Sequence, residues 1–149
     1  MKKILIVTPI ALAALLFQAV PAAAGTVEIL DPWIRAVPPS SKATAAFMII
    51  VNKGDKPVTL VSATSPISPD VRPMITTTSI VDGKEVSGME FVKSFPIPAH
   101  DRRVLKPGAD HIMIMQLASP PKAGDSVPME LTFETSGGAE SIPIRVPVR

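Results

Sequence analysis

Proline is spread along the chain after residue 24, and this constrains the fold more than any other feature of the sequence. The chain has 17 prolines, and all but Pro9 and Pro21 follow residue 24. A proline removes a backbone donor and disrupts the interior of a helix. Between the prolines, short β-forming segments alternate with turn residues, and long apolar runs at helical spacing are missing. This pattern predicts an all-β domain, a sandwich or barrel of about eight short strands.

The turn residues set the bounds of these strands. Asn52-Lys53-Gly54-Asp55, Asp82-Gly83 and Gly137-Gly138 lie between β-forming segments and supply residues that tolerate positive φ. The last segment contains Pro143 and Pro147, which cannot donate to a ladder, so we expect an edge strand there. The predicted strands lie near residues 44–51, 58–64, 74–81, 84–92, 103–106, 111–117, 127–135 and 141–148.

The first 24 residues have the composition of a secretory signal. Lys2-Lys3 precedes an apolar run over residues 4–20, and Ala22-Ala23-Ala24 supplies small residues for cleavage. A transmembrane helix is the alternative, but the run is shorter than about 20 residues. We therefore predict a signal peptide over residues 1–24 and an exported mature domain over residues 25–149 that is not embedded in the membrane.

Charge and composition exclude several functions for the mature domain. Without Lys2 and Lys3, 13 basic residues balance 13 acidic ones, and the chain has no Tyr, so neither a basic stripe nor a stacking surface for nucleic acid is present. The chain also has no Cys, which excludes disulfides, thiol catalysis and thiolate metal sites. With two His and no GxSxG or HExxH motif, the sequence predicts a protein that is not an enzyme.

Four methionines and a histidine between residues 74 and 115 are the candidate metal ligands. In the segment from His111 to Met115, the strand period of two places His111, Met113 and Met115 on one face. Ile112 and Ile114 then face the other side, as a core would require. The alternative is a strand buried on both faces, with methionine filling the core and His111 hydrogen-bonded.

The Asp82-Gly83 turn predicts where two further methionines lie. With a two-residue loop, Val81 faces Lys84 and Thr76 faces Met89. Met74 is then on the face of Met89 and diagonal to it, about 7–8 Å away between backbones. Neutral thioether and imidazole donors without a carboxylate or thiolate favour Cu(I) over harder ions. His100, in a loop-like stretch, is interpreted as a surface residue, with an auxiliary ligand as the alternative.

These residues resemble a known motif. Met89, followed after 21 residues by His111-x-Met113, resembles the later part of the metal motif of the periplasmic copper chaperone family PCu(A)C. The segments that also match are Asp31-Pro32-Trp33-Ile34-Arg35, Ala45-Ala46-Phe47, Asn52-Lys53-Gly54-Asp55, Lys106-Pro107-Gly108 and Ile144-Arg145-Val146-Pro147-Val148. The resemblance spans nearly all of residues 25–149, and it implies a cupredoxin-like, Greek-key β-sandwich. It also implies delivery of Cu(I) to an acceptor such as the copper centre of a cytochrome oxidase.

The sequence departs from this family at the first ligand position. Members carry a His about eleven residues before the first Met of the motif, whereas this chain has Met74 fifteen residues before Met89. If Met74 replaces the family His, the site has one His and three Met. If Met74 only packs, Met89, His111 and Met113 remain, with Met115 or His100 as a candidate fourth ligand. A third reading is a relative that has lost the metal.

Two function classes follow from these observations. The first is a monomeric copper chaperone with a shallow site from which Cu(I) moves to an acceptor protein by ligand exchange. The second is a non-metal extracytoplasmic β-sandwich that acts as an adaptor or binding module, with the methionines in its core. An electron-transfer cupredoxin is disfavoured because blue copper needs a thiolate. Trp33 is expected to anchor the core or the contact between the sheets.

Overall fold

The computed structural model describes residues 23–149, which form two antiparallel β-sheets. The prediction of an all-β sandwich is confirmed, with eleven strands in these residues. The strands are β1 (Ala23–Ala24), β2 (Val27–Ile34), β3 (Thr44–Asn52), β4 (Val58–Thr64), β5 (Asp70–Val81), β6 (Lys84–Phe91), β7 (Phe95–Ile97), β8 (Arg102–Leu105), β9 (His111–Met115), β10 (Ser126–Thr135) and β11 (Gly138–Pro147).

The two sheets pack face to face around an apolar core. The larger sheet has the order β1-β2-β3-β9-β5-β6, and the smaller has the order β11-β10-β4-β7. Every second residue of β10 from Val127 to Phe133 is buried between the sheets, and Leu131 and Phe133 are fully buried. Ile50, Ile112 and Ile114 meet them from the larger sheet as members of the same buried cluster. Because strand side chains alternate in direction, the residues between these positions face outward.

Strands β8 and β9 share one edge of β3. Residues Met48 to Val51 of β3 pair with β8, and Thr44 to Ala46 pair with β9. The chain leaves the sheet between these two stretches and forms the connection 106–110. Phe47 lies on β3 at the gap between them. This arrangement places the residues that precede His111 over the outer face of the sheet.

All eight predicted strands are present, but three others were missed. Strand β2 was missed because Asp31, with a φ of 43°, and Pro32 interrupt its pattern, and the register shifts between Leu30 and Trp33. Strand β7 has only three residues, the central one being Pro96. Strand β5 begins at Asp70 instead of at Met74, because Pro73 is accommodated within the strand and does not end it.

The predicted turns are present, but not every glycine in them has positive φ. Asp82 and Gly83 both have positive φ and close a two-residue hairpin in which Val81 pairs with Lys84. Gly54 does not have positive φ. A Cβ at Gly54 would lie 3.0 Å from the side chain of Thr26, so close approach is the reason for glycine there. Among the strands that the structure describes, the last strand, β11, pairs with β10 alone and is an edge strand, as predicted.

The predicted signal peptide lies outside the described residues except for its last two. Ala23 and Ala24 form β1, which pairs with Glu28 and Val27. Cleavage after Ala24 would remove this short strand and leave β2 at the sheet edge. In the part of the chain that the structure describes, no helix is long and apolar enough to cross a membrane.

The side chain of Asn52 stabilises the turn after β3 through hydrogen bonds, and its substitution tests this role. It is buried, its Nδ2 donates to the carbonyls of Lys56, Ile97 and Pro98, and its Oδ1 accepts from Gly54 N. We expect Asn52→Ala to lower the free energy of unfolding by about 1–3 kcal/mol, because buried carbonyls lose their donor. Urea denaturation measures this, with Asp55→Ala in the same turn as the control, expected within about 0.5 kcal/mol of the parent. Equal stability of both variants would contradict the assignment.

Candidate metal centre

Strand β9 presents its polar and sulfur-bearing residues on the outer face of the larger sheet. Ile112 and Ile114 are fully buried in the core, so His111, Met113 and Met115 point the other way. The predicted alternation is therefore confirmed. His111 is only 5% exposed, whereas Met113 and Met115 are half-buried.

Met74 is the direct neighbour of His111 on the next strand. In the pairing of β5 with β9, Met74 lies opposite His111 and Arg72 lies opposite Met113. Opposed residues of an antiparallel pair share a face, with Cβ atoms about 4.5–5.5 Å apart. Met74 is 9% exposed and does not belong to the cluster between the sheets. It therefore packs on the outer face, beside the imidazole.

Met89 comes to the same face from the third strand. Thr76 pairs with Met89 and Met74 pairs with Phe91, as the two-residue turn predicts. Met89 is thus diagonal to Met74. Its side chain is 59% exposed, in a strand whose residues are all exposed.

Three of the predicted site residues line one cavity. This cavity has a volume of about 240 Å³, and Met89, His111 and Met113 all contribute to its wall. The other lining residues are Arg35, Val37, Ala43, Thr44, Ala45, Phe47, Pro107 and Gly108. Met74 lies beside this cavity through its pairing with His111, without being one of the lining residues. The structure thus brings together Met89, His111 and Met113, with Met74 adjacent.

The ring of His111 is held in one orientation. Its Nδ1 lies 2.8 Å from the carbonyl oxygen of Ala109. A carbonyl only accepts, so Nδ1 carries the proton in the neutral ring, and Nε2 keeps its lone pair. A hydrogen bond of this kind orients histidines that ligate metals. The aromatic ring of Phe47 lies 6.2 Å from the imidazole, between centroids.

His100 and Met115 lie away from the cavity. His100 is exposed in the turn before β8, where its N–H donates to Gly54 O beyond the far end of β3. His111 lies near the start of β3. With the usual rise per residue of a strand, the two ends of β3, and hence His111 and His100, are roughly 20 Å apart. Met115 lies opposite Asp70, and its carbonyl accepts from Ser68. The structure therefore favours the surface interpretation of His100, and it brings neither residue to the cavity.

An aromatic pair beside the cavity corrects one expectation. Trp33 pairs with Phe47 across β2 and β3, with ring centroids 4.6 Å apart. Phe47 shares its face with Ala45, which pairs with Met113, so both rings lie on the outer face of the sheet. The expectation that Trp33 anchors the core was wrong. The Arg35 guanidinium lies 5.4 Å from the centroid of Phe47 and brings a positive charge to the cavity.

Arg35, Phe47, Pro107 and Gly108 lie in segments that resemble the family, but no pattern in the sequence placed them beside His111. Arg35 and Phe47 are far from His111 along the chain, and their position follows from the pairing of β3 with β9. The position of Pro107 and Gly108 at the cavity could have been predicted, because they belong to the turn that leads into His111. Gly108 has positive φ there.

The donor set determines what this site can bind. Two thioethers and a neutral imidazole are soft or intermediate donors without charge, and they suit a monovalent soft cation. Many other metal sites in proteins are built from clusters of carboxylate, imidazole or thiolate groups. Among residues 23–149, no group of three or more such side chains is placed to hold a metal.

Comparisons with known proteins place the chain in a family. A family model described as "Putative lipoprotein LpqE-like" matches residues 27–148. "Putative lipoprotein Lxx21020" of Leifsonia xyli subsp. xyli is 36% identical over 124 residues, which cover 83% of this chain and 69% of that protein. The Cu(I) form of DR1885 from Deinococcus radiodurans is 32% identical, with a TM-score of 0.64 over 89% of this chain and 81% of that one. The chain belongs to the LpqE-like, PCu(A)C-type family.

The fold of this PCu(A)C-type protein is also that of more distant domains. The copper-bound PCuAC domain from PmoF2 is 22% identical, with a TM-score of 0.66 over 88% of this chain and 100% of that domain. At this identity the likeness concerns the fold. The expectation of a cupredoxin-like sandwich is confirmed.

The hydrogen bond of His111 predicts its tautomer. In the metal-free protein, at a pH where the imidazole is neutral, we expect the proton on Nδ1 and a bare Nε2, because Ala109 O accepts from Nδ1. Long-range proton–nitrogen NMR distinguishes the two ring nitrogens, and the exposed His100 serves as the internal control. A proton on Nε2 of neutral His111 would contradict the proposed orientation.

Proposed function

We propose that this protein is an exported copper chaperone that carries Cu(I) as cargo on Met89, His111 and Met113. The observation that supports this most directly is their convergence on one cavity from β6 and β9. The family relationship adds weight, since DR1885 at 32% identity is described as a Cu(I) protein. The leader over residues 1–24 is part of the proposal, with the periplasm as the compartment.

The chemistry of these donors favours Cu(I) over other ions. Cu(I) accepts low coordination and thioether ligands, whereas Zn²⁺ and Mg²⁺ prefer harder donors. The Nε2 lone pair of His111 faces no competing proton when Nδ1 donates to Ala109. The chain supplies no thiolate, so the blue-copper type of electron-transfer site has no ligand set here.

Met74 is the proposed fourth donor. It lies directly opposite His111 on the same face, within the reach of a long side chain. Its burial also gives it a packing role on this face, where it lies diagonal to the exposed Met89. Leucine matches the volume of methionine without the sulfur, so Met74→Leu separates these two roles.

Release of the ion to an acceptor follows from the unequal exposure of the ligands. His111 is buried and fixed, whereas Met89 is exposed on an edge strand. An incoming ligand of the acceptor can therefore replace the Met89 thioether first. The family resemblance suggests the copper centre of a cytochrome oxidase as the acceptor. The proposed chaperone is a monomer that performs no catalysis.

One observation favours the second candidate function, a non-metal adaptor. Five of the seven exposed large apolar residues in the described chain lie on the β5–β6 hairpin: Ile80, Val81, Val86, Met89 and Phe91. By the strand pairing, Ile80, Met89 and Phe91 lie on one face of the hairpin, and Val81 and Val86 lie on the other. Exposed apolar patches mark protein contacts. An adaptor would use this hairpin without copper, whereas a chaperone would use it to meet its acceptor.

Titration with Cu(I) distinguishes the two functions. Under anaerobic conditions, against a chromophoric Cu(I) competitor, we expect the protein to bind one equivalent. His111→Ala and Met89→Ala should each weaken binding at least roughly tenfold, because each removes a ligand. A tenfold loss corresponds to about 1.4 kcal/mol of binding free energy. No binding by the parent, or binding indifferent to both substitutions, would refute the chaperone and favour the adaptor.

Matched leucine variants test the individual methionines. Met113→Leu and Met74→Leu should weaken Cu(I) binding while the thermal midpoint stays close to that of the parent, since the volume is conserved. Met115→Leu is the control and should bind as the parent does, because Met115 lies outside the cavity. An effect of Met115→Leu equal to that of Met113→Leu would contradict the ligand assignment.

A further inference from the structure

Asp110 connects the turn that carries His111 to the β5–β6 hairpin that carries Met89. One carboxylate oxygen, Oδ1, lies 3.3 Å from the backbone nitrogen of Thr76, which donates to it. The other, Oδ2, accepts from Arg103 at 2.8 Å. Asp110 precedes His111 directly, and Thr76 is the residue opposite Met89.

The contact with Thr76 continues the sheet beyond the end of a strand. Strand β9 begins at His111, whose partner on β5 is Met74. Past this pair, β5 runs on toward Thr76 while the neighbouring chain leaves the sheet as the connection 106–110. The Asp110 side chain takes the Thr76 N–H in place of a backbone carbonyl. It thereby fixes β5, and with it the paired strand β6, against the turn that carries His111.

Arg103 holds Asp110 from the other side. Its guanidinium lies 4.4 Å from the ring centroid of Phe95 and donates to Pro96 O, so it connects to the smaller sheet. Phe95 is fully buried. The Arg103–Asp110 pair is about three-quarters buried on both sides, which lets it hold a fixed geometry better than an exposed pair.

The turn itself is also closed by Asp110. Its carbonyl accepts from Lys106 N at 3.0 Å, and Lys106 O accepts from Ala109 N at 3.0 Å. Ala109 O in turn accepts from the imidazole. The orientation of His111 and the anchoring of the hairpin therefore depend on two adjacent residues of this turn, Ala109 and Asp110.

We propose that Asp110 is a positioning residue that sets the placement of Met89 relative to His111. Its effect on copper rests on the proposed function. Asp110 does not touch the ion: one of its oxygens is bonded to the hairpin and the other to Arg103. Loss of such supporting groups lowers metal affinity by roughly 10- to 100-fold.

A double-mutant cycle separates positioning from general destabilisation. We expect Asp110→Ala to weaken Cu(I) binding roughly 10- to 100-fold in the parent and to have little further effect in Met89→Ala, because it acts through Met89. Asp110→Asn keeps an oxygen for Thr76 and should bind more tightly than Asp110→Ala. The control is Asp101→Ala, at the opposite end of β3. Independent, additive losses in the cycle would overturn the proposal.

NMR of the metal-free protein tests the positioning role of Asp110 without copper. In Asp110→Ala, the amide of Thr76 should exchange faster and the ε-methyl resonance of Met89 should shift, while Asp101→Ala leaves both unchanged. If Asp110→Ala does not fold, Asp110→Ser replaces it, since its hydroxyl is too short to reach Thr76 and Arg103 together. Unchanged Thr76 and Met89 signals would overturn the proposal. Failure of the parent to bind Cu(I) would instead refute the proposed function, and the NMR outcome would still stand.

Discussion

The burial of Ile112 and Ile114 between the two sheets is the constraint on which the candidate site depends. Because side chains alternate along a strand, these two residues force His111 and Met113 to the outer face of β9. The pairing of β9 with β3 on one side and with β5 on the other then surrounds them. Phe47 comes from β3 and Met74 from β5. The hydrophobic core thus determines which donors face the cavity.

The site combines a fixed donor with an exposed one. His111 is buried, bonded through Nδ1 and flanked by Met74 and Phe47. Met89 lies on the edge strand β6, and its only described strand partner is β5. A soft ion held between such donors can be retained by the imidazole while the thioether is exchanged. This division of roles fits transport of an ion better than its permanent storage.

Local patterns predicted much of this arrangement, whereas contacts between distant strands did not follow from the sequence. The parity of His111 and Met113 comes from a period of two, and the Thr76–Met89 pairing comes from the Asp82-Gly83 turn. Neither pattern says that β9 lies between β3 and β5. The places of Trp33, Phe47 and Arg35 depend on that sheet order, and so does the bond from Thr76 to Asp110. The burial of Met74 depends on it as well.

X-ray absorption fine structure of the Cu(I)-loaded protein tests the central claim most directly, because it reports the atoms bound to the ion. The account predicts a shell dominated by sulfur with one imidazole nitrogen, and loss of sulfur scattering when Met89 and Met113 are both replaced by leucine. A shell of nitrogen and oxygen alone would contradict it. So would a sulfur shell unchanged in that double variant.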